Sequence, residues 1–175
     1  DEVYCAWYKC GKLFYFKNFE NFIPDILTLS KSMGGGKSSI SAYIANENLH
    51  DKVYGSIDSA FLHTTTYNGF GEECATAIEA INILIEEDFQ TKVNSIDNHI
   101  RENLKKIVTK FPKKIKGFKG QGALFGIEFN SPLDYFSNIL ENIDLQSINN
   151  KKKLISKLYI ASISDVLFKK YNIMT

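Results

Sequence analysis

The chain has 175 residues, and its 21 Lys and Arg against 20 Asp and Glu give a net charge of +1. That length is enough to bury a core for one domain or slightly more. A charge so nearly balanced argues against a nucleic-acid or membrane-surface binder, which would carry a clustered basic face. The only Arg is Arg101, so we do not expect an Arg fork for a substrate carboxylate in this stretch.

Three cysteines, Cys5, Cys10 and Cys74, show neither zinc-binding nor redox-motif spacing. They indicate reduced thiols in a cytoplasmic protein. No signal peptide is visible, and no apolar run approaches the roughly 18 residues of a membrane span. The chain begins at Asp1 without a Met and enters apolar sequence at once, so we expect a segment of a larger protein.

The first part of the chain alternates strand-like runs with turn signals. Residues 1–4 are typical of the end of a strand followed by a loop. Residues 26–30 are rich in β-formers and predict a short strand buried in a parallel sheet. Lys31 and the triple glycine at 34–36 follow directly, and residues 39–45 predict a second strand.

From Glu72 the apolar residues recur with the period of a helix. One helix is predicted up to Ile85 and, after acidic residues, a second from Phe89 to Ile107. Further on, residues 120–129 predict a strand, 149–151 a loop and 154–163 a final helix. The class is α/β, divided into residues 1–92 and 93–175.

Lys31 is placed for chemistry, because it follows a buried strand and precedes flexible glycines. Open α/β folds bind ligands at the ends of their strands. A partly desolvated lysine amine loses basicity and can form a Schiff base with an aldehyde. The alternative is a solvated loop lysine, which is the expectation for most of the other lysines.

The same segment resembles a phosphate-binding P-loop at Gly36-Lys37-Ser38. That motif requires a Gly, four further residues, and then Gly-Lys-Ser/Thr. Counting back from Gly36, the first Gly should stand where the chain has Lys31. A nucleotide-binding function is therefore disfavoured, and a plain glycine turn remains an alternative.

Read together, several stretches resemble the class III aminotransferases, which are enzymes of pyridoxal 5′-phosphate (PLP) fold type I. They follow the family's order over residues 1 to about 130. They are Asp-Glu-Val (1–3), Gly-Lys-Leu-Phe (11–14), Pro-Asp-Ile-Leu-Thr-Leu-Ser-Lys (24–31), the glycines 34–36, His-Thr-Thr-Thr-Tyr-Asn-Gly (63–69) with Cys-Ala (74–75), Gly-Gln-Gly (120–122) and Gly-Ile-Glu (126–128).

The resemblance implies a role for five residues. Asp1 matches the Asp that pairs with the pyridine nitrogen of PLP, and Val3 the apolar residue packed under the ring. Tyr4 stands where the family usually has a Gln near the phenolic oxygen. Lys31 matches the Schiff-base lysine, which also moves a proton between substrate and cofactor. Thr66 matches a Thr that binds the cofactor phosphate of the neighbouring subunit, which implies a homodimer. Taken one at a time, Asp1 and Thr66 are also consistent with structural residues of turns or helix caps. Val3 is likewise consistent with an ordinary core residue.

The fold implied is part of the fold type I large domain, a mainly parallel sheet with helices, leading into a smaller α+β C-terminal domain. The implied activity is transamination from an amino acid or ω-amine to a keto acid or aldehyde. An aminomutase, a decarboxylase or a degenerate PLP-fold domain remains open. Lys119-Gly120 stands where the family usually has Arg-Gly, so the resemblance does not identify the substrate. The phosphate loop and the usual substrate-binding Arg would lie outside this stretch, so we expect the 175 residues alone to bind PLP weakly and to be inactive.

Overall fold

The computed structural model describes residues 1–130 and 145–175 of the chain. Helices and strands share these residues, as the α/β prediction requires. In chain order they are β1 (Ile26–Leu29), β2 (Ala42–Ala45), α1 (Glu47–Tyr54), α2 (Gly71–Glu86), α3 (Phe89–Lys110), β3 (Ile115–Gln121), β4 (Leu124–Phe129) and α4 (Leu145–Tyr171).

Strands β1 and β2 form an antiparallel pair in which Ile26 lies opposite Ala45 and Leu29 opposite Ala42. Both strands were predicted, but the pairing partner of β1 in the described residues is antiparallel rather than parallel. The segment between them holds a single-turn 3-10 helix and glycines. A parallel pair would need a longer crossover, usually through an α-helix.

Residues 1–4 do not form the strand end that the sequence predicted. One backbone bond joins this segment to β1, from the Glu2 N–H to the Thr28 carbonyl at 3.0 Å, and turns occupy residues 3–10. The chain first turns where the Ala6 N–H donates to the Glu2 carbonyl at 3.1 Å, and turns again at Trp7 and Tyr8, which both adopt left-handed backbone angles, with φ of 62° and 65°. Two successive left-handed residues reverse the chain and end any extended run.

The buried core of this part of the chain forms around the turn and β1. Leu27 and Leu29 point to one face of the strand, as the two-residue period of a strand requires. Ala6 and Trp7 complete the buried cluster. Partly buried side chains pack against this cluster. Leu13, Phe14 and Phe16 come from the segment between the turn and β1, Met33 from the 3-10 helix after β1, and Ile81 and Leu84 from α2.

Helices α2 and α3 confirm the two periodic stretches predicted from the sequence. Helix α1 was not predicted. It has only eight residues and no buried residue, so its apolar face is limited to about two turns, which is too short a pattern to predict a helix. Its N-terminus is fixed by Asn46, whose side-chain oxygen accepts a hydrogen bond from the Leu49 N–H at 2.9 Å, a typical N-cap.

The predicted strand at 120–129 proves to be the turn and second arm of a hairpin. Strands β3 and β4 pair and are joined by Gly122 and Ala123, where Gly122 has a φ of 69°. The predicted loop at 149–151 was also wrong, because those residues lie within α4. Asn is a poor helix former, but a long helix tolerates such residues since each costs well under about 1 kcal/mol.

The chain divides into two compact units. The first comprises Asp1–Lys106 and Lys119–Gly126, and the second comprises Ile107–Phe118 with the described residues from Ile127 onward. The predicted boundary after residue 92 lies within α3 and stays a prediction. No helix in the described ranges is long and apolar enough to cross a membrane.

Candidate cofactor site

Lys31 follows β1 after one residue, Ser30, and begins the 3-10 helix Lys31–Gly34. Its backbone is left-handed, with a φ of 55°, a conformation that costs a non-glycine residue free energy and is concentrated at functional sites. The side chain is exposed, and its Nζ lies 5.0 Å from the centroid of the Tyr4 ring. An exposed lysine side chain near the end of β1 therefore places its amine over the face of an aromatic ring.

Asp1 lies against the same strand. Its Oδ1 accepts a hydrogen bond from the Val3 N–H at 2.8 Å and one from the Thr28 hydroxyl at 3.2 Å. Thr28 is a residue of β1, so the strand that ends two residues before Lys31 also holds the Asp1 carboxylate. The structure thus ties Asp1 and Lys31, two of the residues predicted from the sequence, to one short strand.

Glu2, between Asp1 and Val3, is a buried carboxylate that sequence reasoning missed. It is only 5% exposed. Its Oε2 accepts the Tyr15 N–H at 2.8 Å and its Oε1 accepts the Phe16 N–H at 2.7 Å. These charge-assisted bonds satisfy two backbone donors at the start of a 3-10 turn. Glu2 therefore anchors the segment that carries the other predicted residues.

An open cleft of about 1290 Å³ lies beside β1 and β2. Val3 and Ser30 line it near β1, Thr65 lines it from the segment that leads into α2, and Cys74 lines it from α2 itself. Thr66 is exposed and is not among the lining residues, nor is Lys31. Among the predicted residues, only Val3 therefore faces this cleft directly.

Arg101 is committed to a structural contact. Its guanidinium donates to both carboxylate oxygens of Asp97, at 3.0 and 3.1 Å, and to the Gly120 carbonyl at 3.0 Å. The Gly122 N–H donates to the same carboxylate at 2.7 Å. The hydrogen bond from Arg101, joined by that from Gly122, holds the pKa of Asp97 below its ordinary value of 3.8 despite partial burial. This cluster holds the hairpin turn against α3. The guanidinium of the chain's only Arg is used for these hydrogen bonds.

The P-loop alternative does not fit the fold. Lys37 lies in a turn that leads to the strand β2. A P-loop joins a strand to a helix, whose N-terminus contributes to phosphate binding. Within the described ranges, no group of three or more His, Cys, Asp or Glu side chains is arranged to hold a metal ion.

Comparison with known families identifies the chain. The family model for class III aminotransferases matches residues 1–156. The chain belongs to the class III aminotransferases. An uncharacterised aminotransferase of Schizosaccharomyces pombe is 33% identical over 129 residues, which are 74% of this chain and 26% of that protein.

Solved aminotransferases share the fold of this segment. Ornithine aminotransferase of Plasmodium yoelii is 31% identical with a TM-score of 0.65, over 76% of this chain and 34% of its own. Acetylornithine aminotransferase of Elizabethkingia anophelis is 29% identical with a TM-score of 0.64, over 74% and 30%. The predicted fold type I is confirmed. The chain spans only about a quarter to a third of the length of these relatives.

Proposed function

We propose that the protein is a PLP-dependent transaminase in which Lys31 binds the cofactor aldehyde. The observation that carries the proposal is the position of Lys31. It is a left-handed, exposed lysine at the end of β1, the strand whose Thr28 also holds Asp1. An amine and a carboxylate fixed to one strand are the two groups that a pyridoxal ring requires.

The residues present fit that cofactor. The amine of Lys31 is solvent-accessible, as reaction with an aldehyde requires. The Val3 N–H and the Thr28 hydroxyl both donate to Oδ1 of the Asp1 carboxylate. In the described part of the chain its Oδ2 has no hydrogen-bond partner, so that oxygen is available for a protonated ring nitrogen. A carboxylate so placed favours the charged form of its partner.

Each residue then has a defined task, while PLP, when bound, supplies the electron sink for breaking a substrate C–H bond. Lys31 holds the cofactor and afterwards moves the proton to and from the substrate carbon. Asp1 keeps the ring nitrogen protonated, and Val3 packs beneath the ring. The Tyr4 hydroxyl donates a hydrogen bond to the phenolic oxygen. Thr66 binds the phosphate of the cofactor held by a neighbouring subunit, so a homodimer is part of the proposal.

The proposed substrates are an amino donor with an ω-amino group and a keto-acid acceptor. Ornithine and acetylornithine aminotransferases are among the similar proteins, which supports this choice of donor. Because Arg101 is bound to Asp97, the acceptor carboxylate must be recognised by groups other than this arginine. We also propose a cytoplasmic location, since three unpaired cysteines suit a reducing compartment.

The experiment compares Lys31→Ala with Lys37→Ala in the full-length protein, using an ω-amino acid donor and a 2-oxo acid. Removing the cofactor-binding base is expected to lower the turnover rate by roughly 1000-fold or more. Lys37 is the matched control, because it lies in the adjacent turn and has no assigned task. Equal rates for Lys31→Ala and wild type would overturn the proposal.

A further inference from the structure

Trp7 makes a polar contact with the peptide unit that precedes Lys31. Its indole Nε1–H donates to the Ser30 carbonyl at 3.1 Å. The Met33 N–H donates to the same oxygen at 3.2 Å. Two donors from different directions fix the plane of the peptide that links Ser30 to Lys31, and with it the backbone from which the lysine side chain departs.

The indole is itself held rigidly. Trp7 is 7% exposed and belongs to the buried cluster with Leu27 and Leu29 of β1. Its ring and the Phe14 ring pack edge to face with their centroids 5.8 Å apart, and the backbone N–H of Trp7 donates to the Leu13 carbonyl at 2.6 Å. A donor fixed by packing on several sides loses little side-chain entropy when it forms a hydrogen bond.

The Ser30–Lys31 junction needs such support because its backbone is unusual. Lys31 is left-handed with a φ of 55°, although it carries a Cβ, and such a conformation persists only where the surroundings impose it. A further restraint comes from the Ser30 hydroxyl, which donates to the Ile40 carbonyl at 3.2 Å. The turn that carries Trp7 also places Tyr4 under the Lys31 amine, 5.0 Å from the ring centroid.

We propose that Trp7 is a positioning residue for Lys31. Its indole N–H holds the Ser30 carbonyl, which keeps Lys31 in the left-handed conformation and its amine above Tyr4. The inference rests on the proposed function, in which Lys31 binds the cofactor aldehyde. Trp7 touches neither cofactor nor substrate, and acts only through the backbone of the reacting residue.

The test measures how fast full-length apoprotein captures PLP at Lys31. Samples are quenched with borohydride at intervals, and the phosphopyridoxyl peptide is quantified by mass spectrometry. The variants are Trp7→Phe, which removes the N–H, and Phe14→Leu, which removes a ring packed against Trp7 but no hydrogen bond. For Trp7→Phe we expect a loss of about 3- to 10-fold in the capture rate, the factor that corresponds to one net hydrogen bond. Phe14→Leu keeps the indole hydrogen bond, so its capture rate should remain within about 2-fold of the wild-type rate.

A third replacement covers the case in which Trp7→Phe does not fold. Benzothienylalanine at position 7 keeps the bicyclic shape and replaces the N–H with sulfur, and it should show the same slow capture with an unchanged far-UV circular dichroism spectrum. Wild-type capture rates in this variant, or equal losses in Phe14→Leu, would overturn the role of Trp7. Absence of any label at Lys31 in the wild type would instead overturn the proposed function, so the two failures are distinguishable.

Discussion

The buried carboxylate of Glu2 gives a sharp test of how the segment before the cofactor lysine is held. Its two oxygens each accept one backbone N–H, from Tyr15 at 2.8 Å and Phe16 at 2.7 Å. In Glu2→Gln, one amide oxygen can still accept, but the NH2 group must face the other N–H. An unsatisfied buried donor costs about 1–3 kcal/mol, and the remaining bond loses about 1 kcal/mol of charge assistance.

The sum is about 2–4 kcal/mol, reduced by the lower cost of burying a neutral side chain. Since about 1.4 kcal/mol corresponds to a factor of ten, exchange of the two amides should accelerate by at least about 10-fold. Hydrogen–deuterium exchange on peptides covering residues 12–18 of the full-length protein measures this directly. Glu20→Gln is the control, because Glu20 is exposed in the same loop. Exchange within 2-fold of wild type in Glu2→Gln would refute the reasoning.

Three further predictions concern other parts of the first unit. Asp97 has a lowered pKa through its bond to Arg101, so its stabilisation is present above the ordinary value of 3.8 and is lost as the pH falls through the folded value. Between about pH 5 and pH 3, the urea unfolding midpoint should therefore decrease less in Asp97→Asn than in wild type. Burial and the neighbouring thiol raise the pKa of Cys10 to about 11, so mass spectrometry after iodoacetamide at about pH 8 should show this cysteine the slowest to be alkylated. Gly122→Ala would bring a Cβ to 2.2 Å from a backbone carbonyl oxygen, whereas Gly36→Ala, at a similar φ, meets nothing within 4 Å. The first should lower the urea midpoint clearly more than the second, whose cost is about 1–2 kcal/mol, and equal shifts would contradict the contact.

The sequence predicted well what is local. Strand β1 was found because its short run is rich in β-formers, and helices α2 and α3 because their apolar periods are complete within each segment. Lys31 was singled out by its place between a strand and glycines. That place is also what the structure shows, although its function as cofactor lysine stays a prediction.

What the sequence did not predict depends on contacts between distant residues. Glu2 is acidic and would ordinarily be exposed, and its burial depends on two amides more than ten residues further along the chain. Trp7 is buried at a turn that two left-handed residues create, and nothing in its neighbours marks it as a donor to Ser30. Helix α1 has only eight residues, so its apolar residues cover about two turns, and so short a pattern does not predict a helix.

The contacts of Arg101 also show how far the sequence alone predicts structure. The sequence indicated that it would not serve as a substrate clamp but gave no partner. The structure supplies Asp97 at i−4 and the carbonyl of Gly120 on the β-hairpin. The first contact follows from helical spacing, whereas the second requires the hairpin to be folded against α3.

The central claim is that Lys31 is the lysine that binds PLP. The most direct measurement is borohydride reduction of the full-length protein with PLP, followed by peptide mapping at saturation. The account predicts a phosphopyridoxyl group on Lys31 at close to one per chain, and its disappearance in Lys31→Arg, which keeps the charge. A label on another lysine with Lys31 unmodified, or no label at all, would contradict it.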